Sequence, residues 1–254
     1  MKKHRTILKI LSSAVNTVIV ISMLLVLSYS GYSLWDNHQI ISAAENVRAD
    51  MLRLKPEPDE TGKPDFSQLR EINKDVVGWI SVGGTSIDYP ILQGEDNLSY
   101  ITTDVYGRYS VAGSIFLDTR CSADFSDRYS LVYGHHMANG SMFGDLDRFK
   151  SRDFFYENLS GHSLTTADGV YELELACLLE IDAYSTLIFS PGDFGLEEII
   201  EYSAENATFL SQSEKLKKYD PASVRLIALS TCSEDYADAR TVLVFVICEK
   251  EESA

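Results

Sequence analysis

Basic side chains are scarce in this 254-residue chain: 22 Lys and Arg stand against 38 Asp and Glu, for a formal net charge of −16. Setting aside residues 1–36, which hold Lys2, Lys3, Arg5 and Lys9 against Asp36 alone, leaves 18 basic and 37 acidic side chains, a balance of −19. So acidic a domain repels phosphate backbones, and no basic stripe interleaved with aromatics relieves it, which excludes nucleic-acid binding. Most of this charge reads as a solvated, solubilising surface. Cysteine is sparse too, with only Cys121, Cys177, Cys232 and Cys248. A domain of this size has apolar material for a core, so a disulfide framework is not expected. Cys177 and Cys248 fall inside apolar strand-like runs, where a thiol behaves as a small hydrophobe. Proline is limited to six residues, and three of them, Pro56, Pro58 and Pro64, share one polar stretch that reads as a linker. No internal repeat and no low-complexity tract occurs.

Charge is also missing from Ile10 to Trp35, and Val18 to Leu27 is almost wholly apolar. As a helix this stretch is long enough to cross the ~30 Å hydrocarbon layer. The preceding basic cluster predicts a cytoplasmic N-terminus and export of everything after Trp35, with Tyr29, Tyr32 and Trp35 at the outer interface. A cleaved signal peptide would give the same export, but Tyr29-Ser30-Gly31-Tyr32 is a poor small-x-small site, so an uncleaved anchor is expected. The chain is thus divided into a cytoplasmic tail (1–9), a transmembrane signal-anchor (10–35), an N-terminal helical extension with linker (36–72) and a globular domain (73–254).

Within the extension, Ile40, Ile41, Ala44, Val47, Met51 and Leu54 approximate a 3.6-residue stripe and predict a helix over 40–54; a short helix over 66–73 follows the linker. From Val76 the pattern shortens to strands: 79–82, a Gly83-Gly84 turn, then 87–92, 114–117, 130–133, 170–181, 224–230 and 241–248. In the longest, Tyr171, Leu173, Leu175, Cys177, Leu179 and Ile181 share one parity, which predicts a single half-buried face. A helix is expected over 196–210. Many short strands with accessory helices indicate a mainly β fold, an antiparallel barrel or sandwich.

Three strand ends carry chemistry. Leu229-Ser230-Thr231-Cys232 ends one apolar run, Val132-Tyr133-Gly134-His135-His136 ends another, and Arg240 opens the last. Singly, a buried thiol, a polar histidine and a surface arginine are the ordinary readings. Together they meet the needs of thiol acyl transfer. A cationic neighbour favours the attacking thiolate, histidine can protonate a leaving amine, and arginine offers fixed N–H donors to an oxyanion.

The sequence at these positions resembles the sortase family, most closely class B. Leu229-Ser230-Thr231-Cys232 fits four of the five positions of a Thr-Leu-x-Thr-Cys signature, Ala228 replacing its leading threonine. Arg240 matches the family arginine at the start of the next strand, and Gly134-His135 the histidine motif. Val77-Gly78-Trp79-Ile80, Ile87-Asp88-Tyr89-Pro90 and Gly140-Ser141-Met142-Phe143 are similar as well. The resemblance implies an eight-stranded sortase barrel over 73–254 with a class B helical extension. It implies Cys232, His135 and Arg240 as catalytic residues, with Ser230 and Thr231 against substrate. The reaction implied is cleavage of a sorting signal of secreted proteins after threonine through a thioacyl enzyme, then transfer to an amine of a cell-wall (peptidoglycan) precursor, without metal or cofactor. The motif favours His135 over His136, since strand neighbours face opposite sides.

Two rivals stand beside it: a secreted cysteine endopeptidase with water as acceptor, and a membrane-tethered binding module with an inert Cys232. Asp118 and Asp238 are possible orienting carboxylates, but no spacing ties either to a histidine, and Arg240 is preferred.

Overall fold

The structure, a computed structural model, describes residues 2–60, 62–211, 224–232 and 239–248, apart from the side chains of residues 2–8 and 232. The chain divides into two compact units, Met1–Ala43 and Ala44–Ala254. A single helix, α1 (Lys2–Leu52), contains all the described residues of the first unit. The helix expected over 40–54 is therefore not a separate element. Asp36, Asn37, His38 and Gln39 interrupt the apolar pattern but contain neither Gly nor Pro, so nothing there stops a helix. Its apolar residues between Ile10 and Trp35 are exposed, and it is long and apolar enough to cross a membrane.

In the second unit, α2 (Ser67–Ile72) leads into β1 (Val76–Ser81) and β2 (Asp88–Leu92), an antiparallel pair. Their turn uses Gly84 at φ +76°, a conformation only glycine adopts without strain. Next come β3 (Ile115–Leu117), β4 (Tyr129–Tyr133), a 3₁₀ helix (Gly144–Lys150), α3 (Arg152–Glu157), β5 (His162–Thr165) and β6 (Val170–Asp182). The chain continues through α4 (Thr186–Phe189), α5 (Leu196–Asn206), β7 (Ala207–Leu210), β8 (Arg225–Cys232) and β9 (Ala239–Cys248). The strand order is β5-β1-β2-β3-β4-β8-β9-β6-β7, and β5 also pairs with β6. Eight strands therefore close into a barrel, and β7 lies outside it on β6. Closure leaves β7 as the exposed edge, which suits so short a strand.

Three apolar clusters follow from the two faces of the barrel wall. The interior holds Ile80, Ile91, Val132, Leu164, Leu173, Leu175, Ile227, Leu229, Leu243 and Phe245. Outside β4, β8, β9 and β6, the opposite parity (Leu131, Leu226, Ala228, Val242 and Val244) packs against Ile188, Leu196, Ile199 and Ile200 of α4 and α5. Outside β1 and β2, Trp79 and Leu92 pack against Met51, Phe66 and Leu69. Each fully buried side chain of this size contributes about 1.5–3 kcal/mol.

The long strand β6 corrects the single-face reading. A bulge at Ala176 shifts the register, with Leu175 opposite Phe245 and Cys177 opposite Val244. Leu173, Leu175 and then Leu178 face the barrel interior, whereas Cys177, Leu179 and Ile181 face the helices. One extra residue moves the rest of the strand to the other side. The helix expected over 196–210 is likewise shorter, because its last four residues form β7 against β6.

Polar side chains fix the extension to the barrel. Lys55 Nζ reaches Asp88 Oδ1 at 2.8 Å and Ser81 Oγ at 2.9 Å, and Trp79 Nε1 donates to the same carboxylate at 2.6 Å. Burial pushes the Asp88 carboxyl up, but the Lys55, Ser81 and Trp79 donors outweigh it and hold it below the usual range.

Candidate active site

β4 and β8 are parallel, with Tyr133 opposite Ser230, so their C-terminal ends lie at the same end of the barrel, two residues apart in register. β9 runs antiparallel to β8 and places Arg240 opposite Cys232. Topology alone therefore gathers the three chemistry-bearing segments at one end of the barrel. The ladder extends one residue further, as Gly134 N–H donates to the Ser230 carbonyl at 3.1 Å. A β-carbon at Gly134 would lie 2.5 Å from Ile115 Cδ1 and 2.7 Å from Phe143 Cδ2, so the strand can close down here only with glycine. The chain then loops and returns. Phe143 N–H donates to the His135 carbonyl at 2.9 Å, and His136 bridges Met142.

Beside these ends lies a groove of about 330 Å³ lined by Asn97, Leu98, Ile101, Phe116, Tyr133, Gly134, His135, Ser230, Thr231 and Arg240. His135 Nε2 sits 2.7 Å from the Ile101 carbonyl oxygen. A carbonyl only accepts, so Nε2 carries the hydrogen, and Nδ1 is left as the atom able to take up or return a proton. Arg240 is half-buried, donates from Nη1 to the Ala239 carbonyl at 2.9 Å, and forms no ion pair among the described residues. Its remaining N–H groups are available to a bound anion. The hydroxyls of Ser230 and Thr231 are buried and have no hydrogen-bond partner among the described residues. Such groups are costly unless something pairs with them. The Cys232 side chain lies outside the described residues, as does Asp238.

His136 turns away from the groove onto Asp147, with Nε2 2.9 Å from Oδ2. Asp118 is fully buried and does not orient a histidine. It receives Arg120 Nε at 2.9 Å and Nη2 at 2.8 Å, Asn97 Nδ2 at 2.9 Å and the Tyr133 hydroxyl at 3.1 Å. Burial pushes its carboxyl up, and Arg120 and the other donors more than offset this, so it titrates below the usual carboxylate range. The carboxylate thereby holds two groove-lining side chains, Asn97 and Tyr133. Asp118→Asn is expected to lose about 2 kcal/mol of stability at neutral pH, since a charged acceptor within a buried network is removed. The native contribution is present above the ordinary carboxylate value of about 3.9 and is lost as pH falls through the lower folded value. Urea unfolding is therefore expected to separate the variants at pH 7 and to show a smaller difference between them at pH 3.

Among the described residues, no three His, Cys, Asp or Glu side chains gather as metal ligands. No protein-family model matches the chain. Sortase B of Listeria monocytogenes is 30% identical over 234 residues, which cover 89% of this chain and 93% of that protein. The chain belongs to the class B sortases. Two solved structures agree in fold. A Streptococcus pyogenes class B sortase involved in pilus biogenesis matches 72% of this chain and 97% of its own, at 36% identity and a TM-score of 0.64. Clostridium perfringens sortase B matches 73% of this chain and all of its own, at 28% identity and a TM-score of 0.66.

Sortase membership supports a cysteine-transpeptidase-type, sorting-signal-processing activity at the level of the family. In this class B sortase the structure brings His135, Arg240, Ser230 and Thr231 to one groove. Asn97, Leu98 and Ile101 also line the groove, and no sequence motif marks them. They lie in an irregular segment with no periodicity, and Leu98, 71% exposed, has no core signature. Nothing in the sequence links Ile101 to a histidine 34 residues away.

Proposed function

We propose that this chain is a membrane-anchored cysteine transpeptidase in which Cys232 attacks, His135 moves protons and Arg240 holds the oxyanion. The observation that carries the reading is the convergence of His135, Ser230, Thr231 and Arg240 on one groove, with Arg240 opposite Cys232 across the strand pair. The substrate is the sorting signal of a secreted protein, bound extended in the groove with its threonine carbonyl at the thiol. The Cys232 thiolate adds to that carbonyl, and Arg240 N–H groups take the negative charge of the tetrahedral oxygen. The C–N bond then breaks, and the protonated His135 gives its Nδ1 proton to the departing amine, leaving a thioacyl enzyme. An amine of a cell-wall precursor attacks the thioester, its proton passes to His135, and the thiolate leaves. The buried hydroxyl of Ser230, on the same strand face as Cys232, pairs with the substrate backbone, which relieves the cost of leaving it unpartnered, and Thr231 lines the groove beside it. The basic residues ahead of Ile10 favour a cytoplasmic N-terminus and an extracellular barrel at the cell membrane.

The test is to offer the protein a pentapeptide library with threonine fixed at the fourth position and to weigh the intact chain. Acylation on Cys232, absent in Cys232→Ala, is the expected result, and addition of a small amine should divert product from acid to amide. No covalent adduct with any peptide refutes the reading. Adducts that only water discharges make the chain an endopeptidase.

A further inference from the structure

His135 and Arg240 face the groove, and the residue that follows each of them in sequence reaches the same carboxylate from the other side of the barrel wall. His136 Nε2 lies 2.9 Å from Asp147 Oδ2, and the fully buried Thr241 donates its hydroxyl to Asp147 Oδ1 at 3.2 Å. Asp147 stands on the 3₁₀ helix, which Leu146 and Phe149 anchor in the barrel interior. Lys150, one turn on, meets Asp147 Oδ1 at 3.2 Å and Glu180 Oε1 at 3.7 Å, and Glu180 lies opposite Thr241 on β6. We infer that Asp147 is a positioning residue: it clasps the exit of β4 and the start of β9 and so fixes where His135 and Arg240 stand relative to each other.

The inference rests on the catalytic roles proposed above and extends them to a residue outside the groove. Strand pairing alone does not supply this constraint. β4 and β9 are not neighbours, since β8 lies between them, and His135 is already two residues past the end of its strand. A reacting group displaced by about 1 Å can cost about a hundredfold in rate, so a link between the two segments matters more for turnover than for folding. The clasp also gives His136 a role that its neighbour cannot share, because adjacent residues project to opposite sides.

The test uses the full chain in lipid nanodiscs, with a quenched peptide of the sequence that best acylates Cys232. Asp147→Ala is expected to lower kcat about tenfold or more and to leave KM within about twofold; Asp147→Glu, which can still reach both partners, should restore at least a third of the rate. In ¹⁵N-labelled protein the His135 ring and Arg240 Nε–H signals should both move in Asp147→Ala and return in Asp147→Glu. Thr241→Val, which cuts one arm and keeps the side-chain volume, should move the Arg240 signal alone and serves if the alanine variant fails to fold. Unmoved signals in Asp147→Ala, with or without loss of turnover, overturn the clasp, and moved signals with wild-type kcat overturn its role in positioning. If the wild type acylates with no peptide, the proposed reaction fails, whereas the NMR signals still decide whether Asp147 holds the two segments.

Discussion

Replacement of His135 by alanine is expected to reduce peptide cleavage about a thousandfold, and replacement of His136 by alanine less than about tenfold. The difference comes from the direction each ring faces. His135 lines the groove with Nε2 fixed on the Ile101 carbonyl, which leaves Nδ1 for the substrate. His136 points to Asp147, away from the reacting groups. Loss of a positioned general acid commonly costs 10²–10⁴ in rate, and a thiolate that has lost its imidazolium partner is also less populated at neutral pH. Steady-state cleavage, together with the rate of Cys232 alkylation against pH, checks both effects. In His135→Ala the alkylation profile is expected to move to higher pH, and in His136→Ala to stay in place. The opposite ranking of the two variants would transfer the catalytic role to His136.

The histidine pair shows what strand logic could reach. Alternation carried on past the end of β4 separates the two rings, and the Gly-His motif favours His135, so this choice is legible in the sequence. The carbonyl that selects the tautomer was not, because Ile101 belongs to a segment with no period. Local patterns found β1, β2, β3, β4, β6, β8 and β9 within a few residues, since each carries a run of apolar or β-branched side chains. They missed β5, where His162 is buried in the core, accepting from Gly83 N–H at Nδ1 and held by the Asn158 carbonyl at Nε2. Burial holds that imidazole below its ordinary value, so it serves as a neutral core residue. They also missed β7, whose four residues continue the apolar side of α5 and become a strand only because β6 is beside them. The bulge at Ala176 is the clearest case. Unbroken alternation from Tyr171 to Ile181 gives no sign that a residue will be looped out, and only the demand for cover on both faces of β6 requires it. Long-range packing decided these features, and a local reading has no access to it.

Arg240→Lys is expected to be nearly as damaging as Arg240→Ala, about a hundredfold or more in kcat/KM, although it keeps the charge. Directly opposed residues on antiparallel strands lie about 5 Å apart at Cα, so the Arg240 position, opposite Cys232, is within reach of a carbonyl attacked as proposed. One guanidinium N–H is already spent on the Ala239 carbonyl, which orients the fork of a side chain that lines the groove. An ammonium on a flexible stem cannot both make that bond and present a second donor in a fixed plane. Loss of a single oxyanion donor typically costs about 3 kcal/mol in the transition state, and the hundredfold figure follows from it. If the arginine acted only by charge, favouring the thiolate from a distance, lysine would restore most activity and only the alanine variant would shift the pH profile of Cys232 alkylation. Measuring cleavage and alkylation in both variants separates the two roles. A near-wild-type rate for Arg240→Lys would remove the oxyanion assignment and leave Arg240 as an electrostatic aid to the thiol.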